Sequence, residues 1–207
     1  APAGSTIYLP GGGFTHNETT QINKKSTIMG VSHRADTDNA DGATTSSGNL
    51  YLGIGADGTS IMGIHLGGDI NIGSEEVAVK NITLKYVNIN SVQVKNSDCS
   101  GIIVNQSYLR AQSSFGWTNA KISNCITANL YYIAGGFVDH CILWGSYAFG
   151  VHNIYGQWCS GIFADSSIIT NNIIRFDMYT ACNFNGETTK NCIGGGEWGD
   201  NPVKMEE

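Results

Sequence analysis

The sequence predicts an all-β solenoid, and three observations lead to that prediction. A short motif recurs, because I-M-G-V at 28–31 is repeated as I-M-G-I at 61–64. Apolar residues after most copies alternate with polar ones, which is the period of a strand, and no segment keeps the 3.6-residue period of a helix. Glycine accounts for 27 of the 207 residues. Only 14% of residues are charged, against roughly 25% in an average domain.

The recurring motif is a bend between two strands. Eight copies can be aligned, and they lie at 28–31, 61–64, 84–87, 104–107, 122–125, 138–141, 164–167 and 189–192. In most copies the second bend residue is a type that tolerates positive φ, as at Gly30, Gly63, Asn124, His140 and Asn191. We therefore expect a two-residue corner with one left-handed residue, to which Tyr86 and Gln106 fit less well.

The residue after each bend predicts an inward column, in which each side chain stacks on its equivalent one coil away. The column is Ile64, Val87, Ser107, Cys125, Cys141 and Ser167. Spacings between copies vary, as expected when coils share strands and differ in their outward loops. The polar, turn-rich stretch 33–49 lacks strand periodicity, so we interpret it as one such loop. No linker interrupts the chain, and we predict a single domain over residues 1–207.

The opening A-G-S-T-I-Y-L-P-G-G-G-F resembles the N-terminal entry strand of right-handed parallel β-helix proteins. Together with the repeated corners, it makes nearly the whole chain similar to the pectin lyase-like superfamily. The resemblance implies a right-handed parallel β-helix of about eight coils. It says little about activity, because this architecture carries lyases, hydrolases, adhesins and viral spikes. Lyases of the family use a positively charged base and often Ca²⁺ held by carboxylates.

Charge and hydropathy limit the partners. The formal charge is −6, and no run of basic residues exceeds the pair Lys24 and Lys25, so we expect no nucleic-acid partner. No apolar stretch approaches 18 residues, and we expect neither a membrane span nor a leader peptide. We predict an extracellular, cell-surface or periplasmic protein.

Six cysteines raise the question of disulfides. Cys125 and Cys141 share the inward column on neighbouring coils, within reach of a bridge. Cys99 and Cys159 open two C-S-G-I segments that are three coils apart, roughly 14 Å, so we expect no bridge between them. We favour buried thiols over a Cys125–Cys141 bridge, and without a C-x-x-C pair we expect no metal at these residues.

Two sets of aspartates have a functional and a structural interpretation. Asp139 and Asp165 fall at the first corner position of adjacent copies, and carboxylates about 5 Å apart serve retaining glycosidases. Short polar residues at corners more often bond the local backbone, and we favour that reading. The loop aspartates resemble a calcium loop but lack its third ligand and its final Glu; they are Asp36, Asp38 and Asp41. We expect no cofactor, with Ca²⁺ as the open alternative.

A candidate site lies on the strands that follow the corners, which we expect to build one outward face. These strands are 129–133, 149–156 and 173–177. The candidate catalytic residues on this face are Arg175 as a cation, Asp177 as a carboxylate and His152 as a titratable group. A structural salt bridge between Arg175 and Asp177 is the favoured alternative.

Aromatic residues crowd into the second half of the chain. Beside polar groups, an exposed row of rings suits sugar binding, and the candidate substrate-binding residues are Tyr131, Tyr132, Tyr155, Trp144 and Trp158. Alternatively these rings belong to the core or cover the open end of the solenoid.

Two functional hypotheses follow. We favour a β-helix module that binds polysaccharide or cell-surface glycan, or serves as an adhesive or structural surface. The alternative is a polysaccharide lyase or glycoside hydrolase. Charge decides the preference, because a site for acidic polysaccharide normally gathers several cations. The three arginines, Arg34, Arg110 and Arg175, are far apart in sequence.

Overall fold

A computed structural model of the chain describes residues 1–15, 18–32, 43–128, 130–144, 162–165, 168–175, 184–185, 188–190 and 193–195. Within these ranges the chain forms strands and turns and no helix. Accordingly, this part of the chain offers no apolar helix of membrane-crossing length.

The strands form three parallel sheets, and each coil adds one strand to each sheet in turn. Sheet A contains β1 (Ser5–Tyr8), β4 (Ser26–Met29), β7 (Ser60–Met62), β10 (Thr83–Lys85), β13 (Ile103–Asn105), β16 (Lys121–Ser123), β19 (Phe137–Asp139), β22 (Ile168–Thr170) and β25 (Thr188–Lys190). Sheet B contains β2 (Gly12–Phe14), β5 (Thr44–Ser46), β8 (His65–Leu66), β11 (Asn88–Ile89), β14 (Tyr108–Leu109), β17 (Ile126–Thr127), β20 (Ile142–Trp144), β23 (Ile173–Arg175) and β26 (Ile193–Gly195). Sheet C contains β3 (Thr20–Ile22), β6 (Leu50–Leu52), β9 (Ile70–Ile72), β12 (Val92–Val94), β15 (Ser113–Thr118), β18 (Leu130–Ala134), β21 (Ile162–Asp165) and β24 (Phe184–Asn185).

This arrangement is the predicted right-handed parallel β-helix, with one coil more than expected. Among the described residues, sheets A and B each have nine strands, against about eight coils in the prediction. The additional coil is the first one, because Ile7 pairs with Ile28 and the opening segment is itself a copy of the repeat. The predicted loop at 33–49 is also shorter than expected, since Thr44–Ser46 forms β5.

The core consists of inward columns, one residue from each strand of a sheet. Alternation in β10, β13 and β16 buries the middle residue and leaves its two neighbours on the outside. The sheet A column is Ile28, Ile61, Leu84, Val104, Ile122 and Val138. Because each side chain packs on the equivalent residue of the next coil, burial continues along the solenoid.

The corner between sheets A and B has the predicted left-handed residue. Positive φ is found at Gly63, Tyr86, Gln106, Asn124, His140 and Asn171. The two residues that fitted the rule less well, Tyr86 and Gln106, therefore adopt this conformation as well. Gly30 is required for a different reason, because a Cβ there would lie 2.4 Å from the carbonyl oxygen of Gly63. Close backbone approach between the first corners explains the repeated I-M-G.

One copy of the motif was aligned incorrectly. Val138 pairs with Ile169, so the seventh copy occupies 169–172 and not 164–167. The inward position after that corner therefore belongs to Asn172 and not to Ser167. The other predicted members of the column are all buried: Ile64, Val87, Ser107, Cys125 and Cys141.

Polar residues enter this inward column because the corner leaves a backbone amide without a strand partner. The Val87 amide donates to Ser107 Oγ at 3.2 Å, and the Cys141 amide donates to Asn172 Oδ1 at 2.7 Å. Between them, the two cysteine sulfurs donate to carbonyl oxygens of their own corners, Cys125 Sγ to Ser123 at 3.1 Å and Cys141 Sγ to Asp139 at 3.3 Å. At the corners of Val87 and Cys141, the amide is thus accepted by the side chain one coil further along.

Replacing Ser107 tests this arrangement. Ser107→Ala leaves the buried Val87 amide without an acceptor, and we expect the free energy of unfolding to fall by about 1–3 kcal/mol. Ser107→Cys is the matched control, since a buried sulfur can accept a backbone amide, as Cys99 accepts the Val79 amide at 3.2 Å, and it should lose less. Urea denaturation measures both, and equal losses in the two variants would contradict the role of the acceptor.

Candidate functional site

The face predicted from 129–133 and 173–177 does not form, because the described parts of these segments belong to different sheets. Tyr131 and Tyr132 lie in β18 of sheet C, whereas Arg175 lies in β23 of sheet B. The strand that directly follows a corner is a short strand of sheet B, and a second turn then leads to sheet C. Residues 130–134 are the second strand after their corner, while 173–175 are the first after theirs.

Tyr131 is buried, with 1% of its surface exposed, so the expectation that it is free on the outside is wrong. It pairs with Ser114 at a bulge between β15 and β18, and Tyr132 takes a left-handed conformation there. The rings of Tyr131 and Tyr132 meet edge to face with their centroids 6.1 Å apart. Of these two residues, only the half-buried Tyr132 can reach a ligand in this conformation.

The remaining predicted site residues have mixed outcomes. Trp144 and Arg175 are direct partners on the adjacent strands β20 and β23. Several predicted residues lie outside the described ranges, and their roles stay predictions: His152, Asp177, Tyr155, Trp158, Cys159, Asp36, Asp38 and Asp41.

The predicted pairing of Asp139 with Asp165 is wrong. Asp139 ends β19 in sheet A, while Asp165 ends β21 in sheet C beside Ala134. The residue that stacks on Asp139 is Thr170, because the seventh copy of the motif begins at Ile169. These two aspartates therefore do not form the carboxylate pair of a retaining glycosidase.

Asp139 instead organises a polar cluster at the A/B corner. Its Oδ1 accepts hydrogen bonds from Thr170 Oγ1 at 2.6 Å and from Asn171 Nδ2 at 2.8 Å. Its Oδ2 lies 2.6 Å from His140 Nδ1. The Asp139 side chain is 19% exposed and the His140 side chain is 61% exposed. The carboxylate thus holds the imidazole ring in place at the surface.

The same contacts keep Asp139 ionised. Burial by itself raises the pKa of this carboxyl, but hydrogen bonds from Thr170, His140 and Asn171 outweigh it, and the pKa lies below its usual 3.8. The sequence did not predict this cluster, because the seventh copy of the motif was placed at 164–167. Thr170 and Asn171 belong to the copy at 169–172, which strand pairing brings beside Asp139.

A regular surface runs along the corner toward sheet B. On three successive coils a left-handed polar residue is followed two positions later by an outward residue of sheet B. We call this surface the corner strip, and it pairs Gln106 with Tyr108, Asn124 with Ile126 and His140 with Ile142. Ile126 is 45% exposed and Ile142 is 43% exposed. Successive pairs are about 4.8 Å apart, which is the spacing of neighbouring strands.

Charge is distributed unevenly over the chain, which has a formal charge of −6. In the strands of sheets A and B, one acidic residue, Asp139, accompanies several basic ones. The basic residues in those strands are Lys85, Lys121, Arg175 and Lys190. Most acidic residues of the described ranges lie in turns and loops, so the strands of sheets A and B contain more basic than acidic residues.

Arg110 and Arg175, far apart in sequence, occupy equivalent positions in sheet B. Arg110 directly follows β14, and the register of the sheet places it level with Ala128 on the next coil and with Trp144 on the coil after that. Trp144 in turn pairs with Arg175. Three strand spacings separate the two arginines along the sheet, about 14 Å. The guanidinium of Arg110 donates to the carbonyl oxygens of Leu66 at 2.7 Å and Gly67 at 3.1 Å, so it lies across the neighbouring coils.

The described residues place no metal centre at this surface, and the cavity in the first coils lies apart from it. Across the described ranges, no three His, Cys, Asp or Glu residues come together to hold a metal ion. A cavity of about 570 Å³ lies in the first coils, remote from the Asp139 cluster. It is lined mainly by apolar residues, including Leu9, Ile22 and Leu50, and by one charged side chain, Lys24.

Comparisons of this chain with protein-family models, with curated proteins and with solved structures found no match. The resemblance to the pectin lyase-like superfamily therefore stays a prediction, and function must be argued from the surface itself.

The Asp139 cluster predicts a specific pH dependence of stability. Because the folded-state pKa is lowered, the carboxylate stabilises the fold above pH 3.8, and this contribution is lost as pH falls through the folded-state value. Asp139→Asn should therefore be less stable than the wild type at pH 7, and the difference should shrink below pH 3.8.

Chemical denaturation between pH 7 and pH 2.5 measures this difference. The control is Asp98→Asn, which replaces an exposed carboxylate in a loop and should change stability little. A difference between wild type and Asp139→Asn that stays constant with pH would show that the charge of Asp139 is unimportant.

Proposed function

We propose that the protein binds polysaccharide along the corner strip and does not turn it over. The observation that carries the proposal is the repetition of a polar and an apolar side chain, side by side, on successive coils. A pyranose ring has an apolar face of C–H groups and an edge of hydroxyl groups. The strip offers a complementary apolar surface at Ile126 and Ile142 and hydrogen-bonding groups at Asn124 and His140.

The shape of the strip supports an extended ligand. Its residue pairs recur about every 4.8 Å along a straight axis. A chain of sugar units can contact several coils at once, so weak contacts at each pair add up along the polymer. A small isolated ligand would gain little from such an open surface.

The charge of the surrounding faces favours acidic sugars. Lys121 is exposed on sheet A, and Arg110 and Arg175 hold equivalent positions on sheet B. Cations on a protein of net negative charge raise the local concentration of anionic ligands at that face. Asp139 opposes this effect at the strip, and its carboxylate is already occupied by three hydrogen-bonding partners.

One observation supports the alternative of a polysaccharide lyase. Asp139 holds the exposed His140 through Nδ1, which leaves Nε2 of the same ring available as a general base. A lyase would also need a group that neutralises the sugar carboxylate and one that protonates the leaving oxygen. We favour binding because the described contacts provide the base alone.

Binding should depend on the apolar half of the strip. An array of neutral and acidic polysaccharides identifies the ligand, and calorimetry then measures affinity for the double variant Ile126→Ser, Ile142→Ser. We expect at least a tenfold loss, equivalent to about 1.4 kcal/mol. The matched control is Ile103→Ser, which replaces an isoleucine of similar exposure on sheet A.

The outcomes separate the two functions. Equal affinity in wild type and double variant, or equal losses in the double variant and the control, would rule out the strip as the binding surface. Release of unsaturated sugar products by the wild type, abolished in His140→Ala, would instead establish the lyase.

A further inference from the structure

We propose that Cys125 and Cys141 are an oxidation site, at which peroxide closes a disulfide that links two adjacent coils. The inference is independent of the proposed function. Both residues are free thiols in the structure and each is 1% exposed.

Strand register places the two cysteines opposite each other. The residues on either side of them are direct partners, because Ser123 pairs with Asp139 and Ile126 pairs with Ile142. Equivalent Cα atoms on neighbouring strands are about 4.8 Å apart, which falls within the usual disulfide range of roughly 4.4–6.8 Å. Bridging therefore requires rotation of side chains and little movement of the backbone.

The two thiols already interact. The neighbouring Cys141 side chain lowers the pKa of Cys125, and together with nearby backbone amides it outweighs the effect of burial. The neighbouring Cys125 side chain, followed by burial, raises the pKa of Cys141. Cys125 is thus the sulfur that reaches the nucleophilic thiolate form more readily.

The chemistry balances with hydrogen peroxide as the oxidant. The Cys125 thiol loses its proton, the thiolate attacks one peroxide oxygen and the O–O bond breaks, so that sulfenic acid forms and the departing hydroxide takes that proton as the first water. The Cys141 sulfur then attacks the sulfenic sulfur, the S–O bond breaks, and the departing hydroxide takes the Cys141 proton as water. Two thiols and one peroxide give one disulfide and two waters.

Cys99 provides the matched control within the same chain. It is 2% exposed, and its sulfur accepts the Val79 amide at 3.2 Å. Burial raises its pKa. Because the described residues place no second cysteine beside it, Cys99 should neither bridge nor alter the result when it is replaced by serine.

Peptide mapping by mass spectrometry, before and after treatment with hydrogen peroxide, tests the proposal on wild-type protein. We expect a Cys125–Cys141 cross-link after oxidation and none after reduction with dithiothreitol. Closing one coil should raise the melting temperature of the oxidised wild type by roughly 6–12 °C relative to the reduced protein.

Variants distinguish this bridge from other oxidation. Cys99→Ser should keep the cross-link and the shift in melting temperature, whereas Cys125→Ser and Cys141→Ser should lose both. Because the wild type is compared with itself, the result does not depend on the folding of any variant. Absence of the cross-link in oxidised wild type, or an equal shift in Cys125→Ser, would overturn the proposal.

Discussion

The structure depends on how the backbone amide at the A/B corner finds an acceptor. A two-residue corner turns the chain out of the strand ladder, and a buried amide left without a partner costs about 1–3 kcal/mol. In this protein the side chain one coil further along supplies the acceptor, as Ser107 does for Val87 and Asn172 for Cys141. The corner therefore couples neighbouring coils through side chains as well as through strand pairing.

This coupling determines which residues appear inside and outside the corner. Inside, the column changes from aliphatic residues at Ile64 and Val87 to serine, cysteine and asparagine, the small side chains able to accept an amide. Outside, the left-handed residue lies at the surface and makes contacts that differ from coil to coil, as Tyr86 does with Lys85 and His140 with Asp139. The corner therefore combines a backbone geometry that recurs from coil to coil with an outer position that varies from Tyr86 to Gln106 to His140.

Function, as proposed, uses that outer position because the fold does not require it. The interior columns would support the same solenoid with many different surfaces, so the architecture alone says little about the ligand. Here the outer residues form a repeating polar and apolar strip, and Asp139 holds His140 at one end of it. The oxidation site lies directly beneath, since Cys125 and Cys141 each stand between the polar and the apolar residue of one strip pair.

Local patterns in the sequence were sufficient for the stacked coils, the left-handed corner and most of the inward column, because each depends on residues within one short motif. These patterns gave the wrong positions for Ser167 and Asp165. The segment 164–167 resembles the motif in composition, but strand pairing places Ile169 beside Val138, so the motif begins five residues later. The same patterns did not distinguish strands of sheet B from strands of sheet C, because apolar and polar residues alternate in both. The turn between the two strands of a coil decides that 130–134 belongs to sheet C and 173–175 to sheet B. The Asp139 cluster, the burial of Tyr131 and the alignment of Arg110 with Arg175 all depend on register between coils. Register is a long-range property, set by how whole coils pack on one another, and no single segment of the sequence contains it.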